Sequence, residues 1–209
     1  MSEITLSKSE LAQRIAGDIP NGSYVNLGIG LPTLVSNFIS ADAEVIFHTE
    51  NGMLGMGPEA IGNEIDAELI NAGKIAVTEL LGASYFHHAD SFAMIRGGHI
   101  DICVLGAFQV SFNGDLANWH AGNPDDIPSV GGAMDLASGA VKTFVMMTLF
   151  DKAGNPKIVP KCTIPITALN CVDRIYTDYA IFEIVDSKIE LLESFGMPEA
   201  ELLKRISLN

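Results

Sequence analysis

The apolar run Val45-Ile46-Phe47 reads as a short buried strand ending at His48, and a carboxylate, Glu50, follows where that strand ends. Asn51-Gly52 comes next, a strong turn dipeptide, and Gly55, Gly57 and Pro58 predict a stretch without regular structure behind it. In open α/β sheets ligands bind just beyond the carboxyl ends of strands, so Glu50 is placed to meet one. Taken alone, these residues fit a solvated turn acid equally well.

Two glycine clusters could face the same ligand. Gly28-Ile29-Gly30-Leu31-Pro32 follows the strand-like Tyr24–Leu27 and leads into an amphipathic run through Leu34, Val35, Phe38 and Ile39. Strand, glycine loop and helix let backbone N–H groups approach a phosphate or acyl oxygen. The third glycine of a dinucleotide fingerprint is missing, which excludes NAD. Gly131-Gly132 stands before a short helical start, Ala133-Met134-Asp135-Leu136. The five histidines, His48, His87, His88, His99 and His120, match no common metal spacing, so no metal site is expected.

The 209-residue chain suits one domain over 1–209. With 26 acidic against 12 basic side chains its net charge is −14, which disfavours nucleic acid as a partner. An anion would have to be held by local donors. No apolar run reaches membrane-spanning length, and the first residues lack the pattern of a signal peptide, so the expected location is the cytoplasm. Cys103, Cys162 and Cys171 sit among apolar residues and read as free thiols in a reducing compartment.

Ser7-Lys8-Ser9-Glu10 is a capping box that opens a first helix, stopped by Gly17 and Pro20. A short helix is expected across 67–73 and a strand across 75–80. A helix through Phe92–Arg96 should be capped by Asp90 or Ser91, and Ile102–Leu105 reads as a fully buried strand. A hairpin turns at Asn113-Gly114, and Thr143–Leu149 forms a long apolar strand. Tyr179–Val185 should pair with Lys188–Leu192, and a last helix follows Pro198. Strands alternating with helices predict an α/β fold, a mainly parallel sheet with flanking helices and antiparallel C-terminal strands.

Five segments together resemble the B subunit of class I CoA-transferases: 28–32 (GIGLP), 50–55 (ENGMLG), 91–101 (SFAMIRGGHID), 114–119 (GDLANW) and 131–136 (GGAMDL). They run in order across nearly the whole chain. Three further pieces, 86–90, 118–130 and 174–178, resemble the branch of that family acting on 3-oxoadipate. The acetoacetate and acetate types usually carry a basic loop where this chain has Trp119 to Val130. Thr49 stands where a serine is usual before the Glu, and the C-terminus resembles a shortened version of the family's.

The resemblance implies a fold shared with ribose-phosphate isomerases and sugar-phosphate-binding regulators. It also implies a CoA-transferase A subunit of the same fold as partner, in an A–B heterodimer or heterotetramer. By the same resemblance Glu50 attacks an acyl-CoA and later carries CoA as a glutamyl thioester, which a serine or cysteine could not do on its own carbonyl. Coenzyme A is then a substrate, exchanged between small carboxylic acids, and no cofactor is implied. Gly131, or Gly132 beside it, would supply an oxyanion donor; Gly28 and Gly30 would shape the pocket. Asn51 would orient Glu50 or simply make its turn. His120 or Trp119, in the loop that separates the 3-oxoadipate branch from its relatives, would help recognise a dicarboxylic acceptor. Two alternatives remain: the same chemistry on acetoacetate, acetate or butyrate, and a module that binds acyl-CoA or sugar phosphate without turnover.

Overall fold

A computed structural model describes residues 5–40, 42–122, 125, 127–129 and 131–208. In chain order the helices are α1 (Lys8–Gly17), α2 (His88–Arg96), α3 (Ala133–Gly139) and α4 (Glu199–Arg205). The strands are β1 (Tyr24–Leu27), β2 (Ile46–Thr49), β3 (Met53–Glu59), β4 (Val77–Tyr85), β5 (Ile102–Leu105), β6 (Gln109–Ser111), β7 (Leu116–Ala117), β8 (Lys142–Met146), β9 (Ile158–Val159), β10 (Arg174–Tyr176), β11 (Ala180–Val185) and β12 (Lys188–Ser194). A nine-stranded sheet runs in the order β12-β11-β10-β8-β5-β1-β2-β3-β4, and β7-β6-β9 form a second, small sheet.

The centre of the large sheet, β10-β8-β5-β1-β2, is parallel throughout. The antiparallel pair β11–β12 lies at one edge, where the sequence pattern puts it. A second antiparallel hairpin, β3–β4, extends the other edge. Successive central residues point to opposite faces, and each face has its own apolar core. Cys103, Leu105, Val145 and Ile175 pack with Ile95, Leu136 and Leu202 of α2, α3 and α4 on one side. Ile102, Val104, Phe144 and Tyr176 pack with Leu11 and Ile15 of α1 on the other. Burial on both faces is what the unbroken apolar run of β5 encodes.

The capping box forms as read: Ser7 Oγ accepts from Glu10 N, and a Glu10 carboxylate oxygen accepts from Ser7 N. Four local expectations are corrected. Gly55, Gly57 and Pro58 do not break the chain; they lie in β3, opposite β4, where the register shifts twice. A Cβ at Gly57 would stand 2.3 Å from Thr78 Oγ1, so these glycines permit close approach in a bulged hairpin. The run Leu31–Phe38 is 3-10 rather than α, since Thr33 and Ser36 hydroxyls bond back to the carbonyls of Gly30 and Thr33. No helix forms over 67–73, because Asn71 Oδ1 accepts from Gly73 N and Ile75 N and makes a turn there. Helix α2 starts earlier than expected, capped by His87 Nδ1 accepting from Ala89 N.

The turn after β2 is fixed by close backbone contact. Gly52 has φ 112°, and a Cβ there would lie 2.1 Å from the Phe86 carbonyl oxygen. Phe86 N donates to Gly52 O at 3.0 Å, joining the turn to the end of β4. Gly52→Ala should therefore cost about 2–4 kcal/mol of folding stability, read from urea unfolding.

Candidate active site

The carboxyl ends of β1, β2, β5 and β8 open onto one cavity of about 610 Å³. Glu50 enters it from the end of β2. Gly28 and Pro32 line it after β1, Gly106 and Phe108 after β5, and Met147 and Thr148 after β8. Gly131 and Gly132 close it from the start of α3.

Among the described residues no other side chain bonds the Glu50 carboxylate, and the residue is held by the turn around it. Thr49 Oγ1 accepts from Met53 N at 3.2 Å, and Thr49 O accepts from Gly52 N at 3.1 Å, closing the turn around it. The threonine in place of a serine thus keeps a hydroxyl that is used. Burial pushes the Glu50 carboxyl up to about 7, and a hydrogen bond from its own backbone N–H only partly opposes that.

Behind Glu50 a buried polar chain fixes β2. Asn26 Nδ2 lies 3.0 Å from His48 Nδ1 and donates to it, so Nδ1 carries no proton. Ser91 Oγ donates to Thr49 O at 2.9 Å, and it accepts from His48 Nε2 at the same distance. This pattern requires a neutral imidazole protonated on Nε2, and both ring nitrogens are engaged. Burial agrees, depressing His48 to about 4. The chain Asn26–His48–Ser91 thereby ends on the carbonyl directly before Glu50. In the sequence His48 stands out only as a metal candidate and Ser91 as a helix cap; nothing local reveals that they meet.

The glycine pair is placed by packing between α2 and α3. Arg96 and Asp135 form a two-pronged ion pair across these helices, and a Cβ on Gly139 would stand 2.3 Å from Ile95 O. A Cβ on Gly132 would meet the Phe92 ring at 3.1 Å and Glu50 Cγ at 3.4 Å. Gly132 is therefore the glycine packed on the carboxylate's side chain, while a Cβ on Gly131 would meet nothing within 4 Å.

Of the residues singled out in the sequence, Glu50, Gly28, Gly131 and Gly132 share the cavity. The other four lie outside its lining. Gly30 makes a turn at φ 95°, and its carbonyl accepts from Thr33. Asn51 Nδ2 donates to Ile70 O at 2.8 Å, tying the 66–76 loop to the Glu50 turn. Trp119 Nε1 donates to Ile166 O, and His120 Nδ1 accepts from Gly122 N. Parts of the 119–130 segment fall outside the described residues. Lys157 and Asn118, which no motif marks in the sequence as site residues, both line the cavity. Asn118 Nδ2 donates to Gly106 O and its Oδ1 accepts from Thr167, so it holds the loop after β5. Among the described residues no helix is long and apolar enough to cross a membrane.

A carboxylate at a strand end, packed against Gly132 and lifted towards neutrality by burial, has the chemistry to attack an acyl carbonyl. The coenzyme A transferase family matches residues 8–206, and the chain belongs to that family. It is 56% identical over 207 residues to the B subunit of 3-oxoadipate CoA-transferase from Acinetobacter baylyi, covering 99% of this chain and 95% of the relative. It is 47% identical to the B subunit of succinyl-CoA:3-ketoacid coenzyme A transferase from Helicobacter pylori, covering 89% of each. An acyl-CoA transferase apoenzyme from Escherichia coli O157:H7 shares the fold at a TM-score of 0.74 and 17% identity, over 98% of this chain and 42% of that one.

The neutral state of His48 carries a pH signature. Its ordinary value of 6.5 applies unfolded and about 4 applies folded, so between these the unfolded chain binds the extra proton. Stability from this group is complete above the unfolded value and lost as pH falls towards the folded one. Calorimetry across that window should show a drop on the order of 3 kcal/mol from this residue. His48→Gln should flatten that part of the curve.

Proposed function

We propose that this chain is the B subunit of a two-subunit enzyme that moves CoA from succinyl-CoA to 3-oxoadipate, in the breakdown of aromatic compounds. The supporting observation is Glu50, half-buried in the shared cavity against Gly132, in a chain more than half identical to the B subunit of a 3-oxoadipate CoA-transferase. The A subunit would supply the rest of the site, in an A–B pair or its dimer in the cytoplasm.

In the proposed reaction the Glu50 carboxylate attacks the acyl carbonyl of succinyl-CoA. The thioester C–S bond breaks, giving a glutamyl–succinyl anhydride and free CoA thiolate. The thiolate attacks the Glu50 carbonyl and succinate leaves, so CoA rests on Glu50 as a thioester. The acceptor carboxylate then attacks that thioester, releasing thiolate and forming a second anhydride. Thiolate attack on the acceptor's carbonyl yields 3-oxoadipyl-CoA and regenerates the Glu50 carboxylate. Each addition places negative charge on an oxygen that a backbone N–H of Gly131 or Gly132 would stabilise. Scarcity of water suits this sequence, because hydrolysis of either intermediate would waste the thioester. The same burial makes the Glu50 carboxylate a stronger nucleophile than a solvated one.

The test is CoA transfer by the chain co-expressed with its A partner, with 3-oxoadipate and acetoacetate as competing acceptors. Preference for 3-oxoadipate is expected, and Glu50→Ala should lower transfer by at least about 1000-fold. Preference for acetoacetate would favour the same chemistry on a monoacid acceptor. Because attack needs the ionised carboxylate and burial holds Glu50 near 7, kcat/KM should rise with pH up to about 7 and then level. A profile flat from about pH 5.5 to 8 would contradict that.

A further inference from the structure

The cavity that receives Glu50 is lined by one basic residue among the described residues, Lys157, in a chain whose net charge is −14. Its backbone is held at both ends: Lys157 N donates to Leu149 O at 2.8 Å, and Lys157 O accepts from Val110 N at 2.9 Å. The residue is therefore fixed between the end of the β8 segment and the small sheet. Its ammonium forms no ion pair among the described residues. The two acids that act on it, Asp178 and Asp151, are engaged elsewhere. Asp178 Oδ1 accepts from Leu149 N, and Asp151 accepts from Ala153 N and Asn155 N. Half-buried and without a bonded anion, the ammonium sits below its ordinary pKa. A cation in that condition gains from any anion that enters the cavity.

The strand order says where that anion would lie. Glu50 follows β2, and Lys157 sits beside the chain leaving β8, with β1 and β5 between them. Three strand spacings separate these positions, roughly 14 Å of backbone, a gap that extended Glu and Lys side chains are long enough to narrow. Leu105, Phe108, Met146 and Met147 line the space with apolar surface. One end thus offers a carboxylate nucleophile, the wall suits methylenes, and the other end offers an unpaired ammonium.

We propose that Lys157 binds the distal carboxylate of a dicarboxylic acyl group whose other end reacts at Glu50, and so selects diacids over monoacids. This rests on the CoA-transferase reading above. It gives succinyl and 3-oxoadipyl groups, each ending in a free carboxylate, the same anchor in the two halves of the reaction.

The test uses the A–B complex and follows the single-turnover gain of CoA mass on this chain, with succinyl-CoA or butyryl-CoA, the monoacid of equal carbon number, as donor. Lys157→Met should lower the succinyl-to-butyryl ratio of second-order rate constants for adduct formation by about 10- to 100-fold, with the loss in the half-saturating concentration of succinyl-CoA. Lys157→Arg, which keeps the charge, should recover most of that ratio and guards against a folding defect in the Met variant. Equal loss with both donors would overturn the proposal, placing the lysine on the CoA moiety or in the framework; so would an unchanged ratio. Absence of any CoA adduct in the unaltered complex would overturn the transferase reading itself, and this assignment with it.

Discussion

Holding a carboxyl group in a poorly solvated cavity, with no cation bonded to it among the described residues, is disfavoured, and the fold around Glu50 is arranged to enforce it. The group cannot withdraw into solvent because the turn beneath it is bound on every side. The Thr49 hydroxyl and carbonyl close it, the Phe86 backbone packs within contact of Gly52, and the Asn26–His48–Ser91 chain anchors the residue before it. Each of these restraints is buried or backbone-mediated, so none depends on a long flexible side chain. The two apolar cores on either side of the sheet hold these restraints against local opening.

The parallel centre of the sheet turns that local constraint into a site. Its strands all end on the same side, so loops distant in sequence, after residues 27, 49, 105 and 146, converge on one cavity. An antiparallel centre would have sent alternate loops to the other end. The hairpin β3–β4 has another use: by pairing with β2 directly beyond the Glu50 turn, it makes the strand end stiff where an open α/β sheet would leave a loose connection.

Much of this is legible in the sequence because the signals are local. A capping box, an Asn-Gly hairpin, an all-apolar strand and a carboxylate at a strand end each need only neighbouring residues to be read, and each stands where expected. The misreadings share one cause. Gly55 and Gly57 carry no mark that distinguishes a loop from a bulge accommodating Thr78 and Ala83, which arrive more than 20 residues later. Ser91 has the look of a cap until His48 is seen 43 positions away. Lys157 follows a turn, in a stretch resembling any solvated loop, and only the crossing from β8 to the small sheet carries it into the cavity. Periodicity reports which face of an element is buried; it does not report which elements meet.

Among the described residues, the ionisable groups lining the cavity are Glu50 and Lys157, and both are displaced towards their neutral forms, Glu50 upward and Lys157 downward. Had the fold brought them into contact, each would have stabilised the other's charge, and the site would have been an internal salt bridge of low reactivity. Two intervening strands keep them apart, so the unmet demand of each is available to a ligand. A molecule with an electrophilic carbonyl at one end and an anion at the other answers both demands at once. A thioester supplies the first at no cost in net charge, and a second carboxylate supplies the other. Separation of unlike charges, ordinarily a loss for stability, is here what gives the cavity a direction along which a substrate can be ordered.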